Sequence, residues 1–318
     1  MYNLFMLSQK QEFELITSIK ATGEIPLKFA YLDKGAENWF NISNLRANSK
    51  NTINSNESVL LKKRIQDIIS TYDLKDIKLN IIDLGCGTGE PILPILDYLK
   101  ENNIVFRYVP IDISNSMLNL AKNNISKKFD VEILPINIDF EQGQFSDIIY
   151  TLKKDGFNNL LCFLGSTLGN HFNRERVLTN IRDSMGSDDY MLLGVELSNI
   201  YKTDNIINKY KITGAYNFVM FVPHYLGIKD DQVEYNVAWN ILLNQVEQTI
   251  YLKDDIYIEI GSEKIKLEKD DFLLIGRSYK FTMGSIVQIL QDTGFRVELL
   301  MTSLKKDYLI TLIQPSRY

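Results

Sequence analysis

The sequence predicts an α/β protein built on a doubly wound, mostly parallel sheet, with a second, smaller α+β domain. Three observations predict it. From Leu79 to Val195, short apolar runs alternate with helical patterns, as in a parallel sheet covered by helices. One strand-to-helix junction, Asp83-Leu84-Gly85-Cys86-Gly87-Thr88-Gly89, is rich in glycine, which lets a chain turn tightly and lets a ligand lie against bare backbone. After Leu197 the alternation breaks into a helical stretch followed by hairpin-like strands, a change of pattern that calls for a second domain.

The elements follow in order. Gln9–Ile19 carries Phe13, Ile16 and Ile19 at helical spacing. The polar run Asn48–Asn56 has only Ile53 to bury and reads as a loop that closes over a ligand. Ser58–Tyr72 reads as a second helix. Strands are expected at Leu79–Leu84, Phe106–Ile111, Val131–Ile138, Asn159–Leu164 and Tyr190–Val195. Helices are expected after Gly89, over Ser114–Asn124 with Ser114 as N-cap, and over Asn173–Met185. Residues 200–228 read as helical, and Val233–Leu252, Ile256–Ile260 and Lys264–Leu267 as antiparallel strands. A helix from Gly284 to Thr293 stops at Gly294, before a terminal hairpin of Phe295–Met301 and Tyr308–Ile313. Residues 1–76 are thus assigned to the helical part of the second domain and 77–198 to the core. Residues 199–270 form an insertion completing the second domain, and 271–318 return to the core sheet.

Composition narrows the function. The chain has 318 residues, with 35 basic and 40 acidic side chains and a net charge of −5. That balance disfavours a nucleic-acid partner, whose phosphates need a basic face. No apolar run approaches the ~18 residues of a membrane span, and the first residues lack a leader pattern. The protein therefore reads as cytoplasmic, with reduced thiols and no membrane partner. Cys86, Cys162, His171 and His224 stand at no ligand spacing, which argues against a metal. Cys162 reads as a buried strand thiol, and both histidines as packing or bonding locally. Nothing in the sequence fixes an oligomeric state.

The glycine loop indicates the cofactor class. A dinucleotide fingerprint needs G-x-G-x-x-G to seat a pyrophosphate on a helix N-terminus. Here the spacing is G-x-G-x-G and Glu90 follows, placing an anion where the pyrophosphate would dock. A cofactor with no phosphate and a positive sulfonium avoids that conflict. Asp112, 25 residues beyond Gly87 at the end of the next strand, is placed to take both hydroxyls of a ribose; the other reading is an acid serving the helix N-terminus. Asp139-Phe140 follows the third strand. The carboxylate is suited to an exocyclic amine and the ring to a purine face.

Together these residues resemble the S-adenosylmethionine-dependent methyltransferases of the doubly wound, Rossmann-like class I. More narrowly, the chain resembles the histidine-specific methyltransferase family. The carriers are Tyr108-Val109-Pro110-Ile111-Asp112-Ile113-Ser114, Asn137-Ile138-Asp139-Phe140-Glu141 and Phe163-Leu164-Gly165-Ser166-Thr167-Leu168-Gly169-Asn170, supported by Ser278-Tyr279-Lys280-Phe281 and Lys28-Phe29-Ala30-Tyr31. The resemblance implies S-adenosyl-L-methionine as cofactor, held by Asp83, Gly85, Gly87, Gly89, Asp112, Asp139, Phe140, Leu164 and Gly165. It implies that Asn170 and Tyr31 hold a substrate amine as the catalytic pair, that Tyr210 lies near the substrate carboxylate, and that Ser278 matches a pocket serine. Two departures stand out. The histidine-methylating members carry a glutamate where this chain has Gly276, and a tyrosine pair where it has the Asn48–Asn56 run. Without the carboxylate an imidazole N–H loses its partner, so the sequence does not name histidine as substrate. The expected activity is N-methylation of the α-amine of an amino acid or related small amine. An NAD-dependent oxidoreductase and a non-catalytic protein that binds the cofactor are the alternatives.

Overall fold

The computed structural model describes residues 7–47, 53–72, 77–198 and 203–316. The chain divides into a larger unit, Ser43–Ser198 with Lys280–Tyr318, and a smaller one, Met1–Ile42 with Asn199–Tyr279. It begins with α1 (Gln9–Thr22), α2 (Gly35–Ala47) and α3 (Ile53–Ile69). An alternating stretch follows: β1 (Lys78–Leu84), α4 (Leu93–Glu101), β2 (Val105–Asp112), α5 (Asn115–Ser126), β3 (Ile136–Asn137), α6 (Ser146–Leu152), β4 (Asn158–Phe163), α7 (Arg174–Ser184) and β5 (Tyr190–Glu196). Then come α8 (Thr203–Asn208), α9 (Thr213–Val219), α10 (Phe221–Tyr225), β6 (Val233–Asn240), β7 (Gln245–Leu252), β8 (Ile256–Ile260), β9 (Glu263–Leu267) and β10 (Phe272–Tyr279). The chain closes with α11 (Met283–Asp292), β11 (Phe295–Thr302) and β12 (Tyr308–Pro315).

In the larger unit the strands lie in the order β11-β12-β5-β4-β1-β2-β3. β1 to β5 run parallel, and β12 inserts antiparallel between β5 and β11. β1 is apolar on both faces, burying Leu79, Ile81, Ile82 and Leu84, because helices cover a parallel sheet on both sides. The order reverses between β1 and β4. In open α/β sheets the carboxyl ends of the strands beside such a switch are the usual ligand position. Ser114 caps α5 by accepting the Met117 N–H (3.3 Å), and Asn173 caps α7 by accepting the Arg176 N–H (2.8 Å).

Several expectations are corrected. The strand expected over Val131–Ile138 is only a bridge at Ile133 followed by the two residues of β3. Pro135 lies between them and has no N–H for the ladder, so pairing breaks there. α6 was not anticipated; its carbonyls at Leu152 and Ile149 accept the buried amides of Asn80 (2.6 Å) and Asn159 (3.1 Å). The polar run Asn48–Asn56 is not wholly a loop. Its residues 48–52 lie outside the described ones, but Ile53–Asn56 form the start of α3. That helix belongs to the larger unit, where Leu61, Ile65, Ile68 and Ile69 join the core with β12. The expected boundary at residue 76 therefore falls too late.

The smaller unit is an antiparallel sheet, β10-β7-β6, with a separate β8–β9 hairpin and short helices. β10 pairs with β7 along its length, so residues 271–279 belong here and not to the core sheet as expected. A buried pair reinforces the assignment. Arg277 of β10 donates from Nε to Glu24 Oε1 (2.9 Å) and from its second nitrogen to Oε2, while Glu24 itself bridges to Leu274. Among the described residues no helix is long and apolar enough to cross a membrane.

Candidate active site

The chain leaves β1 through the glycine loop, whose Gly85, Gly87 and Gly89 all have positive φ. The Gly85 and Cys86 N–H groups both donate to the Ile111 carbonyl, at 2.8 and 3.2 Å, which folds the loop over the end of β2. At Gly89 an added methyl would stand 3.2 Å from the Tyr108 hydroxyl and 3.4 Å from Ala121. Only glycine lets β2 and α5 approach so closely there. Asp112 ties the loop to α5: Oδ2 accepts the Gly87 N–H (3.2 Å) and Oδ1 the Ser114 N–H (2.9 Å). Oδ2 also takes the weak Cys86 S–H contact (4.0 Å), and the Ile113 N–H adds to the backbone hydrogen bonds on this carboxylate.

Three strand ends meet at Gly85. A Cβ placed there would lie 3.4 Å from the Thr167 methyl and 3.8 Å from the Phe140 ring. The structure thus gathers the glycine loop, Phe140 and the turn carrying Leu164, Gly165 and Asn170. Phe140 is held edge-on by Phe163 (5.5 Å between ring centres) and His171 (5.8 Å). Asp139, just before it, accepts the Glu141 N–H (3.0 Å), and His171 Nδ1 bonds Glu141. Asn170 ends a 3-10 turn spanning Thr167–Asn170 and is half-buried. Its side chain makes no hydrogen bond among the described residues, and the cap of the next helix comes from Asn173.

Three buried carboxyls, Asp83, Asp112 and Glu57, stand near these strand ends. Asp83 is 4% exposed and accepts from the Tyr108 hydroxyl (2.9 Å). Burial pushes its carboxyl up to about 7 against that hydrogen bond, with Asp112 and Glu57 adding to the rise. Burial likewise pushes Asp112 up to about 6 against its backbone hydrogen bonds, and Glu57 up to about 7. In the unfolded chain these groups ionise near 3.8 and 4.5. Their contribution to stability is therefore full below about pH 4 and is lost as pH rises through 6 to 7. The ligand-free protein should unfold at lower urea concentration at pH 8 than at pH 5.5. Equal midpoints would mean that these carboxyls titrate normally.

The remaining predicted residues lie in the smaller unit. Tyr31 ends a 3-10 turn, and its ring packs edge-on against Trp39 (5.3 Å) and Phe218 (4.9 Å). Tyr210 follows α8, packs beside Ile206, Val237 and Val246, and accepts the Tyr235 hydroxyl at its carbonyl (3.4 Å). Ser278 is buried on β10 directly opposite Val246, so Tyr210 and Ser278 come to one end of the same sheet.

Sequence reasoning missed two features. At Gly276 an added Cβ would stand 2.8 Å from Gln248 Oε1 and 3.3 Å from Val219. Gln248 fills the space and donates to the Tyr235 hydroxyl (2.7 Å). Pairing across the sheet was needed to find it, since the two residues lie far apart in the chain. Glu57 is the second; it stood at the edge of a run read as a loop, and no local pattern marks it.

Comparison with known proteins places the chain among methyltransferases. A family model described as "Histidine-specific methyltransferase, SAM-dependent" matches residues 11–315. A histidine N-alpha-methyltransferase of Mycolicibacterium smegmatis is 24% identical over 252 residues, 76% of this chain and 75% of that one. One from Mycobacterium tuberculosis is 31% identical over 144 residues, 44% of this chain and 42% of that one. Among solved structures, the selenomethionine-substituted CurJ carbon methyltransferase aligns with a TM-score of 0.50 at 12% identity, covering 96% of this chain and 66% of that one. That likeness is one of fold.

Proposed function

Because the chain belongs to the family of histidine-specific, S-adenosylmethionine-dependent methyltransferases, we propose that it transfers a methyl group to the α-amine of an amino acid. The observation that carries this reading is the meeting of the glycine loop, Phe140 and the Gly165–Asn170 turn at the sheet's switch point. The residues present suit the cofactor. Asp112 stands at the carboxyl end of β2, where a ribose diol would lie, and Phe140 offers an apolar ring beside the glycine loop. The bound cofactor supplies a methyl carbon on a positive sulfonium. The protein's task is then to orient a neutral amine in line with that carbon. Nearby positive charge disfavours an ammonium ion, so the amine loses its proton to solvent before attack. The Asn170 amide oxygen accepts from the remaining N–H and directs the lone pair, and Tyr31 assists at the amine. Tyr210 serves the carboxylate end and Ser278 the side-chain pocket. No strong base is needed.

The side chain of the preferred amino acid is set by the surroundings of Ser278. Gln248 and the Tyr235 hydroxyl are neutral groups, and Gly276 contributes no carboxylate. The direct test is incubation with S-adenosylmethionine and a panel of amino acids that includes histidine, read by mass spectrometry. The expected result is S-adenosylhomocysteine together with one amino acid heavier by one or more methylenes. Tight cofactor binding with no methylated product from any amine would favour a non-catalytic role. Tight binding of a nicotinamide cofactor would favour the oxidoreductase.

A further inference from the structure

On the reading that the turn from Leu164 to Asn170 serves cofactor and amine, we propose that Glu57 is a positioning residue for the reaction, holding that turn by the backbone of Gly165. Glu57 is 1% exposed near the start of α3. Both its oxygens face one donor, the Gly165 N–H, at 3.0 and 3.2 Å. Oε1 also accepts the Tyr308 hydroxyl from β12 (2.5 Å). The carboxylate thus joins a helix, a central strand and the turn.

The turn needs such a hold. Gly165 and Ser166 stand at φ of 72° and 59°, two successive left-handed residues, of which the serine is not a glycine. Such backbone persists only where its surroundings impose it. The fold also makes room for the acid. Gly194 lies in the interior of β5, where glycine is otherwise a cost. A Cβ there would collide with Glu57 Oε1 and stand 2.7 Å from the Tyr308 hydroxyl. A buried acid gripping an amide from a distant part of the chain is an uneconomical way to add stability, since desolvation opposes it. It is well suited to fixing one peptide plane. Moving Gly165 moves both the proposed cofactor contact and, five residues on, Asn170.

The charged and titratable groups around Glu57 are Tyr308 on β12, Asp83 on β1 and Cys162 on β4, with Glu196 of β5 beyond Tyr308 and paired to Lys280 (2.5 Å). Tyr308 lowers the Glu57 carboxyl by its hydrogen bond, against the larger effect of burial.

Glycine-selective ¹⁵N labelling reads the contact directly, with the Gly165 signal assigned by its loss in Gly165→Ala. In the unsubstituted protein the Gly165 amide proton should move downfield as pH rises from 5 to 8.5. The movement should vanish in Glu57→Gln and shift its midpoint to higher pH in Tyr308→Phe. Calorimetry with S-adenosylhomocysteine, at a temperature where circular dichroism shows each variant folded, then reads the consequence. Glu57→Ala should bind about tenfold more weakly, and methyl transfer to the amino acid found by the panel should slow about tenfold or more. Glu57→Gln, whose amide oxygen still accepts both donors, should stay within about threefold on both counts. A Gly165 amide signal at the same position in the unsubstituted protein, Glu57→Gln and Glu57→Ala at every pH overturns the proposal, as does a folded Glu57→Ala with unchanged affinity. Glu57→Gln as impaired as Glu57→Ala also overturns it, because charge and not acceptance would then be required. If Glu57→Ala does not fold, the Gly165 titration and the Glu57→Gln affinity decide. Both stand even if no amino acid is methylated.

Discussion

Replacing Asn170 by alanine should leave S-adenosylmethionine affinity within about threefold and lower turnover about a hundredfold or more. The proposed cofactor contacts come from β1, β2, the segment after β3 and the start of the turn, so losing the Asn170 amide removes none of them and costs under ~1 kcal/mol of binding. The amine, by contrast, loses the acceptor that directs its lone pair, and orientation of that kind is worth orders of magnitude in an in-line displacement. A helix-cap role would give the opposite pattern, about 1 kcal/mol of lost stability with turnover nearly intact. The structure removes that alternative at its source, since the Asn173 side chain accepts the Arg176 N–H at 2.8 Å and caps α7. Cofactor calorimetry and single-turnover methyl transfer on one variant check both halves. Normal turnover would end the case for Asn170 as an amine-binding residue.

The larger unit was readable because its central strands are buried on both faces and its helices on one. β1, β2, β4 and β5 announce themselves as apolar runs, and Ser114 marks a helix start by its own chemistry. Legibility failed where structure depends on partners distant in sequence. β3 looks like a full strand until Pro135 removes a donor that the ladder needs. β10 follows the insertion and precedes a core helix, and only its pairing with β7 assigns it to the smaller unit. The start of α3 reads as loop because Asn and Ser favour caps and turns over helix interiors; its hold on the larger unit lies further along, at Leu61, Ile65 and Ile68. The candidate site divides in the same way. The positions of the glycine loop and Asp112 were legible because each lies at the end of a predictable strand, and that of Asn170 because its turn follows one. Glu57 and Gln248 were not, because their roles come from contacts with Gly165 and Gly276.

Asp112→Ala should weaken S-adenosylmethionine binding by about 2 kcal/mol or more, roughly thirtyfold, the loss expected for charge-assisted hydrogen bonds to a ribose diol. The structure complicates the reading, because Asp112 also holds the Gly87 and Ser114 N–H groups. Its removal could loosen the glycine loop and weaken any ligand there. A cofactor analogue separates the two roles. In the unsubstituted protein, S-adenosylhomocysteine lacking both ribose hydroxyls should bind about as weakly as intact S-adenosylhomocysteine binds to Asp112→Ala. The variant itself should be nearly indifferent to the missing hydroxyls. A loop-holding role predicts instead that the substitution weakens both ligands equally, leaving the cost of deoxygenation unchanged. The pH dependence adds an independent sign. Burial pushes the Asp112 carboxyl up to about 6, and hydroxyl donors favour its ionised form, so binding should tighten as pH rises from 5 to 8. In Asp112→Asn the part of that rise owed to residue 112 should disappear, while any part carried by Asp83 and Glu57 remains. If calorimetry finds the substitution harmless to both ligands, Asp112 serves only the start of α5, and the ribose must be held elsewhere.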